Sequence, residues 1–294
     1  MAETELYEHL AGGVTTVARA WSVTMADGST LGFTDHDQTL VFDGISFQAQ
    51  TGLTARALTQ ATGLSVDNTE AMGALSDTAI REEDIGAGRY NGAEVTSWLV
   101  NWANVSDRKI LFRGHIGEIR RGEGAFHAEL RGLTEGLNRP VARVFQKPCT
   151  AVLGDAACQF DLSSGGYRHE GPCVSSEDGR VFGFTDLSAF EAGWFQRGRL
   201  EVRSGAATGL AGMIKRDLQE DGGLRLIELW EPLRAEILPG DQILLHAGCD
   251  KRFDTCRMKF NNLINFQGFP DIPEEDWITV QPQSAATKSG GSRR

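Results

Sequence analysis

The chain has 294 residues, of which 40% are hydrophobic and 23% are charged, and its formal net charge is -11. This composition is that of an ordinary soluble protein, and the length predicts two domains because single hydrophobic cores tend to stop growing near ~250 residues. The negative charge argues against a protein that wraps nucleic acid, which needs clustered Lys and Arg to bind phosphate.

The first ten residues carry acidic side chains where a secretory signal would carry basic ones, and no apolar run follows them. No stretch approaches the ~20 apolar residues that a membrane span needs. We therefore expect a protein that is made in a reducing cytosol, has no membrane span and is not exported by the secretory route. Disulfides are disfavoured in that compartment.

The first half of the sequence reads mostly as strands. Trp21 and Val23 alternate with polar residues up to Asp27-Gly28, and apolar residues resume on the far side, which predicts a hairpin. Asp43-Gly44 predicts a second tight turn, between strands at 40–42 and 45–47. Three further strands are predicted at 95–102, 110–119 and 125–131. Short helices are predicted at 3–10 and from 76–78 to Ile85.

The second half is also predicted to consist of short strands, but its sequence does not repeat that of the first half. Strands are predicted at 180–184, 198–203, 209–215, 224–230 and 242–245, separated by Gly, Asp and Pro as in a small barrel or sandwich. Strand-like alternation stops between Pro140 and Cys149, which places a domain boundary there. After Val280 the chain is poor in apolar residues and is expected to be disordered. The predicted fold is mainly β, with two β-barrel or sandwich-like domains and short helices, divided into 1–144, 145–280 and a tail at 281–294.

The five cysteines are unevenly spaced. Eight residues separate Cys149 from Cys158, six separate Cys249 from Cys256, and Cys173 lies between the two pairs. Four thiolates are a complete ligand set for tetrahedral zinc or for an iron–sulfur cluster. The spacing alone leaves a metal centre, two disulfides or unpaired buried thiols open. The absence of Cys-x2–4-Cys hairpins makes zinc less favoured without excluding it, and a reducing cytosol favours metal over disulfides.

Common catalytic motifs are missing from the sequence: there is no Gly-x-Ser-x-Gly, no phosphate-binding loop and no His-Glu-x-x-His. Asp35-His36-Asp37 could bind a divalent ion, or His36 could act as a base. Neighbours on a strand point to opposite faces, so a solvent-facing turn is the favoured interpretation. The same interpretation is favoured for His169 and Glu170.

Several separate motifs occur in order along about residues 10–280, in segments 32–37, 86–93, 114–119, 149–162, 240–241, 248–262 and 265–270. Together they resemble the hub protein at the tail tip or baseplate of siphophage-like particles, a family that includes the hubs of gene transfer agents. Hubs of this kind are similar to the tail-tip protein L of lambda-like phages, whose carboxy-terminal domain carries a [4Fe-4S] cluster on four cysteines.

Position by position, the resemblance implies that Cys149, Cys158, Cys249 and Cys256 are the cluster ligands, with zinc as the alternative metal. Cys173 has no counterpart in this ligand set and is expected to be a small buried side chain. Such a centre would join the two ends of the second domain and stabilise it, as a disulfide does. A redox or sensing role is the alternative for the centre.

The function implied by the resemblance is that of a structural, non-enzymatic baseplate hub in a phage-like particle assembled in the bacterial cytoplasm. A homotrimer would join the tail tube and distal tail proteins above to the tip or fibre proteins below. DNA would pass through it without specific binding. Acidic residues such as Glu82, Glu83 and Asp84 could face that passage, although a solvated outer face is the favoured interpretation of so short a run. The competing function is an iron–sulfur or zinc enzyme or sensor outside any particle.

Overall fold

The computed structural model describes residues 2–49, 54–55, 68–74, 81–122, 125–138 and 142–272. The chain divides into two compact units, Met1–Val141 and Ala142–Arg294, each built on one β-sheet. The prediction of a mainly β protein with short helices is confirmed. The predicted tail at 281–294 lies outside the described residues. Within the described ranges, no helix has both the length and the apolar character needed to cross a membrane.

The first unit begins with a helix and continues as a nine-stranded sheet. Its elements are α1 (Ala2–Ala11), β1 (Val17–Thr24), β2 (Thr30–Thr34), β3 (Leu40–Phe42), β4 (Ile45–Gln48), β5 (Thr54–Ala55), β6 (Asn68–Ala74), α2 (Glu82–Gly86), β7 (Glu94–Asn101), β8 (Arg108–Gly122) and β9 (Ala125–Gly132). The strand order is β3-β4-β2-β1-β7-β8-β9-β6-β5, and neighbours are antiparallel except β2 and β4, which are parallel.

Both predicted tight turns are present. Strands β1 and β2 form an antiparallel hairpin in which Trp21 faces Phe33 across the ladder. Strands β3 and β4 are joined by Asp43 and Gly44, whose φ angles are 51° and 76°. Two consecutive residues with positive φ are what a type I′ hairpin turn requires, and Asp-Gly is a favoured pair for it.

The sheet of the first unit buries apolar side chains on both faces. On β1, Trp21 and Val23 belong to one buried cluster, and Ala18 and Ala20, on the opposite face of the sheet, belong to another. The alternation follows from the two-residue period of a strand. The predicted strands at 95–102, 110–119 and 125–131 correspond to β7, β8 and β9. The second predicted helix is observed as α2, and residues 75–80 at its predicted start lie outside the described residues.

The second unit contains a seven-stranded antiparallel sheet. Its elements are β10 (Arg168–Pro172), β11 (Ser175–Glu177), β12 (Val181–Phe184), β13 (Arg199–Val202), β14 (Ala211–Gln219), β15 (Arg225–Leu229), β16 (Gln242–His246) and α3 (Phe253–Met258), with short 3-10 turns at Asp221–Gly223 and Leu263–Asn265. The strand order is β10-β16-β13-β14-β15-β12-β11.

The two edge strands of this order are consecutive in the chain, separated only by Cys173 and Val174. Cys173 N–H donates to the carbonyl of Asp241, the residue before β16, at 3.0 Å, which extends the pairing of β10 with β16 by one residue. Val174 N–H donates to Gly183 O at 2.8 Å, which begins the pairing of β11 with β12. The bent strand β10–β11 therefore pairs with both ends of the sheet order and closes it into a barrel.

The barrel interior is filled by apolar side chains from successive strands. Fully buried residues include Phe182, Leu200, Ile214, Ile227 and Ile243, which belong to one cluster. The five strands predicted in this half are all present, although the predicted 209–215 strand begins at Ala211 and runs on to Gln219. Strands β10 and β11 were not predicted because their sequences, RHEGP and SSE, carry almost no apolar residues.

Candidate metal centre

Four of the five cysteines line a single cavity outside the barrel, within the second unit. The cavity encloses about 340 Å³ of space, including its opening to solvent. Its lining consists of Cys149, Ala151, Leu153, Cys158, Cys249, Lys251, Arg252, Cys256, Phe260, Asn262, Asn265 and Phe266. The four cysteines are the four predicted from the sequence, so residues about 90–100 positions apart are brought together by the fold.

The first pair of cysteines is held by a tight loop organised by Asp155. One carboxylate oxygen of Asp155 accepts hydrogen bonds from Ala157 N–H at 3.0 Å and Cys158 N–H at 2.7 Å, and the other accepts from Val152 N–H at 2.8 Å. These backbone hydrogen bonds, that from Cys158 first, lower the pKa of Asp155. Gly154 has φ +84°, and a Cβ there would lie 2.8 Å from Leu162. The loop therefore requires glycine at 154 and a carboxylate at 155.

The second pair follows the last barrel strand. Gly248 passes so close to the neighbouring backbone that a Cβ would lie 1.6 Å from Gln196 O, so only glycine fits before Cys249. Lys251 has φ +68° and turns the chain into α3. Cys256 lies in α3, where it is buried. The turn and the short helix thus direct Cys249 and Cys256 into the same cavity.

Hydrogen bonds join the segments that carry the two pairs. Cys149 N–H donates to Lys251 O at 2.8 Å, and the Lys251 ammonium donates in return to Ala151 O. Farther along, Asn262 Nδ2 donates to Cys158 O at 2.7 Å. Phe269 N–H also donates to Gln146 O, at 2.9 Å. The two ends of the second unit are therefore connected on both sides of the cavity without a metal.

Lys259 docks the cysteine-bearing segment on the barrel. Its ammonium donates to Trp194 O at 2.6 Å and Gly248 O at 2.9 Å, and it lies 4.1 Å from the centroid of the Trp194 ring. Burial lowers the pKa of Lys259 to about 8. On the same segment, the Phe260 ring packs against Phe160 and Tyr167 at 5.0 and 5.6 Å. An aromatic and hydrogen-bonded contact thus fixes this segment.

The thiols of the second pair are electrostatically unlike free cysteines. Burial, followed by the proximity of Cys249, Cys149 and Cys158, raises the pKa of Cys256 to about 11. Burial also raises the pKa of Cys249. Thiols clustered in this way disfavour one another's ionisation, and a cation placed among them removes that penalty.

The donor set fits the predicted centre, whereas the centre itself is not shown. All five cysteines carry free thiols, so the structure contains neither of the two disulfides that the spacing left open. In the ranges that the structure describes, no three His, Cys, Asp or Glu side chains are placed to hold one metal ion. Four thiols around one cavity nevertheless match a [4Fe-4S] cluster, which takes one thiolate per iron. Zinc, with bonds of ~2.3 Å, would need all four sulfurs within about 4 Å of one another.

The other cysteine and the other candidate residues lie outside the cavity. Cys173 is 1% exposed in the barrel core, and its thiol donates to Leu238 O at 3.3 Å. It is the small buried side chain that the sequence predicted.

The Asp35-His36-Asp37 run does not converge on one point. Asp35 accepts a hydrogen bond from Arg19 N–H at 2.6 Å, and His36 Nδ1 accepts one from Gln38 N–H at 3.0 Å. Asp37 Oδ1 lies 3.2 Å from His36 Nδ1, but the Asp37 side chain is 79% exposed and Asp35 is turned away to Arg19. This agrees with the turn interpretation.

His169 Nε2 lies 3.0 Å from the Asp186 carboxylate, but the two groups are not aligned for a hydrogen bond. Glu170 is an exposed residue of β10. Sequence reasoning missed Asp155, Lys259 and Asn262, which organise the cysteine segments. All three lie in segments that carry the family resemblance, Asp155 in 149–162 and Lys259 and Asn262 in 248–262, but one sequence does not show which partners they contact.

Comparisons with known proteins agree with the sequence resemblance. Residues 3–161 match the family described as baseplate hub protein, N-terminal attachment domain, and residues 193–276 match the phage conserved hypothetical protein BR0599. No curated protein matches the chain. A solved chain described as "Virion of native gene transfer agent (GTA) particle" is 53% identical, with a TM-score of 0.90 and 98% of each chain covered. The first family match spans more than half of the sequence, and the chain belongs to the baseplate hub protein family.

Proposed function

We propose that this chain forms the hub that joins the tail tube to the tip or fibre proteins around the DNA exit channel. The coarser part of that function follows from the family: the chain is a structural, non-enzymatic component of a phage-type baseplate or gene transfer agent virion. The observation that carries it is the 53% identity over 98% of a chain from such a virion. Similarity of that extent covers both units, so a hub role does not depend on one shared domain.

The first unit is the proposed attachment side. The matched family segment, described as an attachment domain, covers nearly all of that unit and continues to residue 161. We assign the contact with the tail tube and distal tail proteins to this unit. The remaining surface of the hub then serves the tip or fibre proteins.

The proposed assembly is a homotrimer with a central passage. A closed ring repeats each weak contact by symmetry, so individually modest interfaces add up to a stable hub. The net charge of -11 supports a passage through which DNA moves without adhering, because like charges repel. Glu82 and Glu83 are exposed in the first unit and are available either to that passage or to an outer face.

The proposed cofactor is a [4Fe-4S] cluster on Cys149, Cys158, Cys249 and Cys256, with zinc as the alternative. The proposal is supported by the position of these four thiols around one cavity, which Cys173 does not line. When bound, the centre supplies metal–thiolate bonds that connect the two ends of the second unit. The protein's part is to orient the thiols, through the Asp155 loop and α3, and to enclose them. Its role would be stabilising, by analogy with a disulfide.

Gene deletion tests the hub function. Particles made without the protein should have filled capsids but tails that lack the tip complex, and they should fail to deliver DNA. Electron microscopy of purified particles and a DNA-transfer assay measure the two effects. Normal delivery by particles without the protein would refute the function. Sedimentation analysis of the assembled tip tests the trimer separately, and any other stoichiometry would exclude it.

Anaerobic purification tests the cofactor. The protein should be brown, absorb broadly near ~400 nm and contain iron and sulfide, as expected for thiolate-bound clusters. Colourless protein with stoichiometric zinc would identify the alternative metal. A matched pair of variants tests the ligand set: Cys249→Ser should lose metal, whereas Cys173→Ser should keep it. Equal loss in both would show that the wrong four ligands were chosen.

A further inference from the structure

Asn262 is a buried residue whose side chain contacts Cys158 and whose backbone contacts Cys256. It follows α3, is 8% exposed and lines the cavity beside the thiols. Its Nδ2 donates to Cys158 O at 2.7 Å and lies 3.6 Å from Cys158 Sγ. Through its backbone it reaches the other pair: its N–H donates to Cys256 O at 3.0 Å. Its carbonyl also accepts from the Cys256 thiol at 3.3 Å, a contact of the protonated, metal-free thiol.

The orientation of this amide is fixed by its partners. Cys158 O can only accept a hydrogen bond, so the group facing it must be the Asn262 NH2. On the other side, Asn262 Oδ1 accepts from Asn265 Nδ2 at 2.8 Å. A flipped amide would place two oxygens against each other beside Cys158. The NH2 group therefore faces the Cys158 sulfur as well as its carbonyl.

We propose that Asn262 is a positioning residue of the metal centre, which fixes Cys158 relative to Cys256 and donates a hydrogen bond to the metal-bound sulfur of Cys158. This inference rests on the cofactor proposed above. Groups that orient ligands in this way commonly change metal affinity by about 10–100-fold when they are removed. Hydrogen bonds to sulfur also stabilise the more negative, reduced state of a cluster and so raise its reduction potential.

A second donor serves the first pair from the backbone. Gln267 N–H points to Cys149 Sγ at 3.4 Å. Because this donor belongs to the main chain, no side-chain substitution removes it, and it stays constant when Asn262 is changed. Changes at Asn262 therefore report on one sulfur, that of Cys158.

The test compares Asn262→Ala, Asn262→Asp and the control Asn261→Asp in the full chain. Asn261 is the exposed neighbour, and the control adds the same negative charge one residue away. Each protein is purified anaerobically, and its circular dichroism is compared with that of the unchanged chain. Iron, sulfide and zinc content, the rate of metal release to a chelator, and the reduction potential are then measured.

We expect both Asn262 variants to release metal about 10–100-fold faster than the control. Asn262→Ala should also have a lower reduction potential than the unchanged chain. If Asn262→Asp does not fold, Asn262→Ala, which introduces no charge, decides the question. Release at the control rate with an unchanged potential would overturn the proposal, and faster release with an unchanged potential would overturn the hydrogen bond to sulfur. An unchanged chain without iron or zinc would overturn the cofactor proposal itself, and Asn262 with it.

Discussion

Loss of the proposed metal centre should weaken the second unit by an amount that chain entropy predicts. The shortest stretch that joins one pair of ligands to the other runs from Cys158 to Cys249, about 90 residues, and a cross-link closing a loop of ~100 residues is worth about 4–5 kcal/mol. With a urea dependence of about 2 kcal/mol per molar for a domain of this size, the unfolding midpoint should fall by about 2 M. Cys249→Ser, which is expected to lose the metal, is the perturbation that removes this cross-link.

The assay must follow the second unit alone, because the first unit has tryptophans of its own. Anaerobic urea unfolding followed by hydrogen exchange in peptides from β13 and β16 meets that requirement, since both strands lie in the barrel. Cys173→Ser is the matched control. That thiol is buried and donates to Leu238 O at 3.3 Å, a hydrogen bond that a serine hydroxyl can replace.

Three outcomes separate the possible explanations. A large midpoint shift in Cys249→Ser and a small one in Cys173→Ser supports the cross-link. If the unchanged protein unfolds at the same urea concentration with and without metal, the centre adds nothing to stability and the cross-link is excluded. Equal shifts in both variants would point to packing of the thiols rather than to metal binding.

Further substitutions test the fold around the site. Asp217→Asn should lower the free energy of unfolding by about 3–5 kcal/mol, because the buried Arg225 guanidinium, 2.7 Å from Asp217 Oδ2, loses its countercharge. Combining it with Arg225→Met should lower the free energy by less than the sum of the two single changes. Additive changes in urea unfolding would contradict this. Gly248→Ala should displace Cys249 and lower the metal content of the protein. Gly165→Ala should not, because the space around Gly165 is open. Equal metal content in the two variants by elemental analysis would disprove the steric argument. Lys259→Met should speed hydrogen exchange in 253–272, since the segment loses the lysine ammonium that donates to Trp194 O and Gly248 O. Unchanged exchange would show that the lysine does not dock this segment.

The strands of this protein could largely be predicted from local patterns, because the signals are local. Asp43-Gly44 specifies its own turn, and the alternation around Trp21 reports the face that is buried. Closure of the barrel could not be predicted. It depends on the polar segment from β10 to β11, which changes partners at Cys173 and Val174, and backbone pairing of that kind leaves no apolar pattern in the sequence.

The four cysteines that share one cavity could be predicted from the sequence, but the residues that position them could not. Four cysteines and a family resemblance pointed to one cavity, and the fold brings those four together. Asp155, Lys259 and Asn262 were not predicted because each acts through partners that are distant or are backbone atoms. A carboxylate that accepts three backbone N–H groups looks, in a sequence, like any other loop aspartate.

The position of the cavity indicates what the metal centre would do for the fold. The barrel closes on itself and buries its own core, whereas segments 142–165 and 248–272 lie outside it and contain one short helix, a 3-10 turn and no strand. Metal removal should therefore have two separable effects. The outer segments should exchange amide hydrogens at low urea, because local contacts alone hold them. The barrel should unfold later but still earlier than with metal, because its chain ends are no longer joined in the unfolded state. A single transition shared by both regions would mean instead that the cavity and the barrel fold as one cooperative unit.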